Sequence, residues 1–386
     1  MIIIGLTGSF GSGCTYVAEE FLMPKGYRYL SLSHILRDFY KEKYGKECDL
    51  SRHEMQNYGT QIRQEHGPGF LAQKAIKIVN ESGHDKWIID SIRNPNEVKS
   101  LRGEFSKFYL VALRAESDIR WSRIKTKYNS NQGVFELDDK TDSDEKVPYG
   151  QRVRESYEMA DFIISNAKDT PHESKSYNLL KQNVCEFIDI VEGNKGFSPK
   201  QNEALMAMAY AASIRSRCLQ RKVGAVLVDS QGSVFSSGYN EVPVDQETCK
   251  AEYGRCYRTV LKDEFADEIG KVIKDAQLAK EVYNLFKNKF KILDYCRSLH
   301  AEEIAILNVA RFGSAVALKD STLYTTTYPC NLCANKIVQI GIKKVVYMEP
   351  YPMKEAKDIL DENNVIQEPF EGVSFNGYFR FKEEEG

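Results

Sequence analysis

His300-Ala301-Glu302 opens one run of helical apolar spacing, and Pro329-Cys330-Asn331-Leu332-Cys333 opens the next, with a strand-like segment at residues 321–327 between them. Cysteines three apart place both sulfurs on one face of a helix's first turn, and Pro329 suits the entry to that helix. The positive end of the helix dipole favours the ionised thiol that a metal requires. His300 supplies a third ligand, so one imidazole and two thiolates leave a fourth tetrahedral corner open, as in catalytic rather than closed structural zinc sites. His300 and Glu302 stand two apart and diverge on a regular helix. Their convergence therefore requires His300 at the helix end, Glu302 in the first turn and Glu303 facing elsewhere.

Working outward, residues 201–219 read as a helix, with Met206 and Met208 in its core. Residues 223–229 and 234–239 read as a hairpin around Asp229-Ser230-Gln231-Gly232, and residues 343–347 as a strand. The Lys- and Glu-rich stretch 249–294 reads as helices with solvated faces. The turn-forming residues Glu192-Gly193-Asn194-Lys195-Gly196-Phe197-Ser198-Pro199 mark a domain boundary. The expected division is a domain over 1–192, a linker over 193–199 and a second domain over 200–386.

The first domain alternates strand and helix. Ile2 to Leu6 precedes Gly8-Ser9-Phe10-Gly11-Ser12-Gly13-Cys14-Thr15, and apolar runs recur at 87–90, 108–113 and 162–164, which predicts a mostly parallel sheet with covering helices. The polar stretch Asn129 to Val147 has little to bury and is expected to be a mobile loop or lid. The glycine stretch fits the phosphate-loop pattern G-x-x-x-x-G-K-[ST] except that Cys14 stands in place of Lys. Gly8, Gly11, Ser12 and Gly13 would let backbone N–H groups wrap a phosphate, with Thr15 and Asp90 on the side of a Mg²⁺ ion and Arg93 close behind. Losing Lys removes a charged contact worth about 1.5–3 kcal/mol, so phosphoryl transfer should suffer more than binding.

The chain has 386 residues, beyond the size at which one core stops growing. Lys and Arg number 53 against 55 Asp and Glu, which excludes a global basic field for polynucleotides or anionic membrane. No apolar run reaches membrane-spanning length, and nine cysteines without a secretory signal favour metal binding or free thiols over disulfides, so a cytoplasmic location is expected.

From about Gln201 to Tyr351 the sequence resembles the deoxycytidylate deaminases. The resemblance rests on Arg221-Lys222-Val223-Gly224-Ala225-Val226, Gly238-Tyr239-Asn240-Glu241-Val242-Pro243, the two metal motifs and Gly341-Ile342-Lys343-Lys344-Val345-Val346-Tyr347. H-x-E followed by P-C-x-x-C is the signature of zinc nucleobase deaminases. The resemblance implies a three-layer α/β/α cytidine deaminase-like fold, Zn²⁺ on His300, Cys330 and Cys333, and Glu302 passing protons to the ring nitrogen and leaving amine. It further implies Asn240 and Ala301 at the substrate. The family commonly has Gly where this chain has Glu241. Some members carry a second, non-catalytic zinc, for which Cys218, Cys249, Cys256 and Cys296 are candidates, with buried reduced thiols the alternative. Arg215, Arg217, Lys222 and Arg258 are candidate phosphate contacts.

Residues 1 to about 192 resemble P-loop nucleoside monophosphate kinases, on the glycine loop, Tyr29-Leu30-Ser31-Leu32-Ser33, Asp90-Ser91-Ile92-Arg93-Asn94-Pro95 and Ala160-Asp161-Phe162-Ile163-Ile164-Ser165-Asn166. With Cys14 in the loop, a nucleotide-binding, regulatory role is expected over a working kinase. Such a domain ahead of a deoxycytidylate deaminase resembles the bacterial anti-phage dCTP deaminases. That likeness implies dCTP and dCMP as substrates, a homo-oligomer such as a hexamer, and restraint by a small RNA. A polynucleotide cytidine or adenosine deaminase is the competing reading, without a basic, aromatic-interleaved stripe to hold a strand. A nucleotide sensor with an inert deaminase site is the other.

Overall fold

An unbroken apolar run such as Ile2–Thr7 has no polar face to turn to water, and it belongs inside a sheet covered on both sides. A computed structural model of the chain describes residues 1–143, 147–166, 174–289, 292–311, 318–349 and 353–383. It divides into two units, Met1–Glu203 with the residues from Glu371 onward, and Ala204–Phe370. The strands of the first part of the chain are β1 (Ile2–Thr7), β2 (Arg28–Ser31), β3 (Lys86–Ile92), β4 (Phe108–Arg114) and β5 (Phe162–Ser165). They are followed by β6 (Gly224–Val228), β7 (Val234–Tyr239), β8 (Thr322–Thr325), β9 (Lys344–Tyr347), β10 (Ile366–Pro369) and β11 (Gly372–Val373).

In the first unit the order is β11-β5-β4-β1-β3-β2, parallel throughout except for β11, which pairs antiparallel with β5. β1 sits in the middle, so the chain leaves its C-terminal end into the glycine loop, the position where open α/β sheets bind ligands. The sequence places the residues after 370 in the second domain; β11 and the helix Phe375–Glu383 instead complete the first unit, with Val373 and Phe381 each 2% exposed in its core. A two-residue strand has too little periodicity to announce its sheet.

Residues 129–143 correct the mobile-loop expectation. Gln132–Ser143 is a helix, and Phe135 is buried against Phe10 and Tyr128. Its carboxylates find arginines distant in sequence: Asp142 pairs with Arg93, and Asp139 takes Arg120 at 2.6 and 2.8 Å. The stretch looked unable to bury anything because its partners are not local. Residues 144–146 of that expectation lie outside the described residues.

In the second unit the order is β10-β9-β8-β6-β7, with β6 antiparallel to β7 and β8, and β8, β9 and β10 parallel. Helices cover both faces, and two glycines let them approach. A Cβ on Gly224 would stand 1.8 Å from Ala209 O of the helix Gln201–Ile214, and one on Gly238 would stand 2.3 Å from Ala301 O of the helix Ala301–Arg311. Gly238 is paired with Ala225, the neighbour of Gly224, so the pleat turns the two glycines to opposite faces. The residues form a mixed α/β fold with two sheets. Met206 is buried as expected, whereas Met208 is 47% exposed and lies outside the core. No helix among the described residues is long and apolar enough to cross a membrane.

Candidate metal centre

The helix Ala301–Arg311 begins one residue after His300, whose carbonyl accepts the first helical bond, from Ile304 N at 2.9 Å. His300 is therefore the flanking residue at the helix end, as the spacing to Glu302 requires. The helix Asn331–Gln339 is entered in the same way from Cys330, in extended conformation, with Ala334 N donating to Cys330 O at 2.8 Å. Cys333 lies in that helix's first turn. Two helix starts thus meet, and His300 Nδ1 stands 3.2 Å from Cys330 Sγ and 3.3 Å from Cys333 Sγ. The Cys333 thiol reaches Glu302 Oε2 at 3.7 Å.

His300, Cys330 and Cys333 offer three ligand atoms within 4.8 Å of one another, the one such group among the described residues. One imidazole nitrogen and two sulfurs form the borderline-soft set that suits zinc. Cys330 is held below the ordinary thiol range by the hydrogen bond with Cys333 and by His300, which favours the thiolate a metal needs. Burial raises the Glu302 carboxyl above its ordinary value. Glu303 turns away: it accepts from His300 N at 3.4 Å and pairs with Lys336 at 3.3 Å.

Residues 199–349 match the family described as the cytidine and deoxycytidylate deaminase zinc-binding region. The deoxycytidylate deaminase of Schizosaccharomyces pombe is 30% identical over 283 residues, covering 72% of this chain and 74% of its own. The chain belongs to the deoxycytidylate deaminase family. The 283 matched residues exceed the length of Ala204–Phe370, so the likeness to the yeast protein extends into the first unit. The deoxycytidylate deaminase of phage T4 is 34% identical over 158 residues, 38% of this chain and 77% of its own. A solved dCMP deaminase from cyanophage S-TIM5, in complex with dCMP and dUMP, is 26% identical and covers 45% of this chain and 99% of its own, with a TM-score of 0.32.

Other residues singled out from the sequence fall as follows. Asn240 is 8% exposed; its Oδ1 accepts from Val223 N at 2.7 Å and its Nδ2 donates to Arg221 O at 2.9 Å, so its amide holds the start of β6. Ala301 is fully buried. Arg217 Nε donates to Glu241 at 2.9 Å, and Arg215 lies over the Tyr239 ring. Cys218, Cys249, Cys256 and Cys296 all line one cavity of about 20 Å³, but no three of them bring their sulfurs within 4.8 Å of one another. Burial raises the Cys218 and Cys296 thiols.

The glycine loop joins β1 to the helical turn at Cys14–Val17 and borders a cavity of about 570 Å³. Thr15 Oγ1 donates to Asp90 Oδ2 at 3.1 Å and Tyr29 OH donates to the same oxygen at 2.7 Å. Three successive loop carbonyls are engaged, Phe10 by Arg120, Gly11 by Arg123 and Ser12 by Asn166. Burial, with the Asp90 charge adding to it, pushes the Cys14 thiol up to about 12, so it carries no charge.

Sequence reasoning missed Glu241 as a structural residue, and missed Arg52, Arg120 and Arg123 around the loop. Each acts across more than 20 residues of chain, and no local spacing signals it.

Proposed function

We propose that the chain catalyses the hydrolytic deamination of deoxycytidine nucleotides, dCMP and dCTP, to the corresponding deoxyuridine nucleotides and ammonia. The observation that carries this reading is the convergence of His300, Cys330 and Cys333 beside the buried Glu302 carboxylate. In this reading His300, Cys330 and Cys333 hold Zn²⁺, which when bound lowers the pKa of water toward about 7. Glu302 Oε2 would take one proton from the attacking water and hand it to the ring nitrogen, then take the second from the hydroxyl left on the ring carbon and hand it to the departing amine, so that a carbonyl and ammonia result. A carboxyl raised by burial is suited to take and return a proton near neutral pH. Asn240, in the Gly238–Pro243 motif, fixes the start of β6, on which the nucleoside would rest, and Ala301 stands between the metal ligand His300 and Glu302.

The first unit is proposed as a regulatory nucleotide-binding unit, its glycine loop taking phosphates and Thr15 with Asp90 taking Mg²⁺. The sequence resemblance supports a homo-oligomer in the cytoplasm that depletes deoxycytidine nucleotides during phage infection, restrained by a small RNA. The decisive test assays dCMP, dCTP and a single-stranded oligonucleotide side by side with the parent and Glu302→Ala. Turnover of both free nucleotides and a loss of about 10²–10⁴-fold in the variant, with zinc retained, is expected. Turnover of the oligonucleotide alone, or an unimpaired variant, sinks the reading.

A further inference from the structure

The glycine loop lacks its lysine, and Cys14 cannot substitute for it because a thiol carries no positive charge in either protonation state. A phosphate cradled by uncharged backbone alone forgoes the charge-assisted contact that makes such sites strong. The loop, however, contains an aromatic residue, Phe10, which is 5% exposed. The Arg52 guanidinium carbon lies 3.3 Å from the centre of the Phe10 ring and that of Arg93 lies 5.1 Å from it. Two guanidiniums are thus brought together by cation–π contact with the loop itself, at a cost in mutual repulsion that an anion between them would relieve.

The surroundings point the same way. The cavity is lined by Arg37, Arg52, Arg63, Arg93 and Lys127, against the single carboxylate of Asp90. Arg63 is paired with Glu97, and Asp142 takes Nη1 of Arg93, which leaves Arg37, Arg52, Lys127 and the Nη2 side of the Arg93 guanidinium to face Asp90. Among the described residues Arg52 has no ion pair. Arg63 is 3% exposed, yet its Nη1 has no hydrogen-bond partner, and the same holds for Oε1 of Gln56, which is 4% exposed and also lines the cavity. Buried donors and acceptors left open are costly unless a ligand meets them. A volume of about 570 Å³ is in the range of small-ligand sites, and two glutamine amides, Gln56 and Gln151, stand on its wall as groups able to read a base edge.

We propose that this cavity binds a nucleoside phosphate, and that Arg52 and Arg93, carried on the face of Phe10, supply the positive charge that a loop lysine would otherwise supply. The proposal rests on the reading of the glycine loop as a nucleotide site. It makes the unit a binder: two fixed arginines hold phosphate, but neither rides along the loop with a migrating phosphoryl group.

The chain has two tryptophans, Trp87 on β3 and Trp121, whose ring packs on Tyr128 and Phe135 in the cluster that contains Phe10. In the full chain carrying Trp87→Phe, Trp121 fluorescence therefore reports on the loop. It is titrated with Mg-ATP and with inorganic tripolyphosphate. The expected result is saturable binding of both, weakened at least tenfold by Arg52→Met, an exposed residue. Arg93→Met would strand Asp142, so that arm uses Arg93→Met with Asp142→Asn, and a similar loss is expected. Cys14→Lys added to Arg52→Met should recover at least fivefold. No binding of either probe by the parent overturns the nucleotide-site reading and this proposal with it. Binding by the parent that is unchanged in both arginine variants, with circular dichroism showing them folded, overturns the proposal alone, as does a Cys14→Lys chain that recovers nothing.

Discussion

Glu241 and Leu299 exchange two backbone hydrogen bonds, Glu241 N to Leu299 O at 3.2 Å and Leu299 N to Glu241 O at 2.9 Å, and Leu299 is the residue before His300. The position where the family commonly carries Gly therefore anchors the approach to the metal centre. The side chain reinforces it: Glu241 Oε2 accepts from Arg217 N at 3.1 Å and Arg217 Nε at 2.9 Å, and Oε1 from Val242 N at 3.0 Å.

Replacing Glu241 by Gln should lower unfolding stability by about 1–2 kcal/mol at pH 7, a figure kept low because Arg217 is largely exposed. Burial alone would raise this carboxyl, but the Arg217 and Val242 hydrogen bonds hold it below its ordinary value of 4.5. A carboxyl depressed in the folded state contributes stability that is complete above the unfolded pKa and lost as pH falls through the folded one. The gap between parent and Glu241→Gln in urea unfolding should therefore be full at pH 7 and close below about pH 4.5. A gap that widens in acid would contradict the hydrogen-bonding assignment.

The metal motif was legible because its chemistry is compressed into two short stretches, His300–Glu302 and Pro329–Cys333, each at a helix start whose geometry follows from spacing alone. The parallel order around β1 was legible for a similar reason, since buried strands announce themselves as apolar runs. What escaped was carried by pairs far apart in sequence. Asp142 reads as one more solvated acid until Arg93 meets it, and Phe381 reads as a tail residue until Tyr109 and Phe197 close on it. Neither the acidic helix Gln132–Ser143 nor β11 has a period or motif of its own, and only packing decides both.

Zinc should be recovered at one equivalent per chain. Chelation should abolish deamination, added Zn²⁺ should restore it, and Cys330→Ser or Cys333→Ser should lose the metal. Because the ligands come from the starts of two helices, removal should lower the melting temperature of the second unit and leave the first unchanged. A second equivalent that survives Cys333→Ser and is lost on replacing Cys256 would show that Cys218, Cys249, Cys256 and Cys296 draw together around an ion of their own.

Gly224 and Gly238 test whether helix approach or metal geometry limits the second unit. A methyl group at either site meets helix backbone, Ala209 O at 1.8 Å for Gly224, and Ala301 O at 2.3 Å with Ala305 N at 2.5 Å for Gly238. Backbone cannot swing aside as a side chain can, so Gly224→Ala and Gly238→Ala should each cost about 1–3 kcal/mol or more. Gly238 packs on the helix that carries Glu302 and follows His300. Its variant should therefore also weaken zinc retention against a competing chelator, whereas Gly224→Ala should lose stability with zinc affinity nearly unchanged. Equal zinc loss in both would mean that the metal site responds to global stability and not to the placement of its helix.

Ending the chain at Phe370 should damage the first unit, although the deleted residues follow the whole of the second in sequence. The deletion removes Val373 and Phe381, each worth about 1.5–3 kcal/mol on burial, so about 3–6 kcal/mol in apolar contact alone, comparable with the stability of a small domain. Phe381 stacks on Tyr109 with ring centres 5.6 Å apart and also meets Phe197. Gly377 passes so close to Asp161 that a Cβ would stand 2.3 Å from its carbonyl, and Ser374 Oγ donates to Ala160 O at 2.5 Å. These contacts cover β4 and β5 on one side of the first core. Hydrogen exchange on the truncated chain should show lost protection across residues 108–114 and 162–165, with residues 224–228 and 322–325 as protected as in the parent. Undiminished protection in β4 and β5 would show that the first sheet is complete without β11 and its helix.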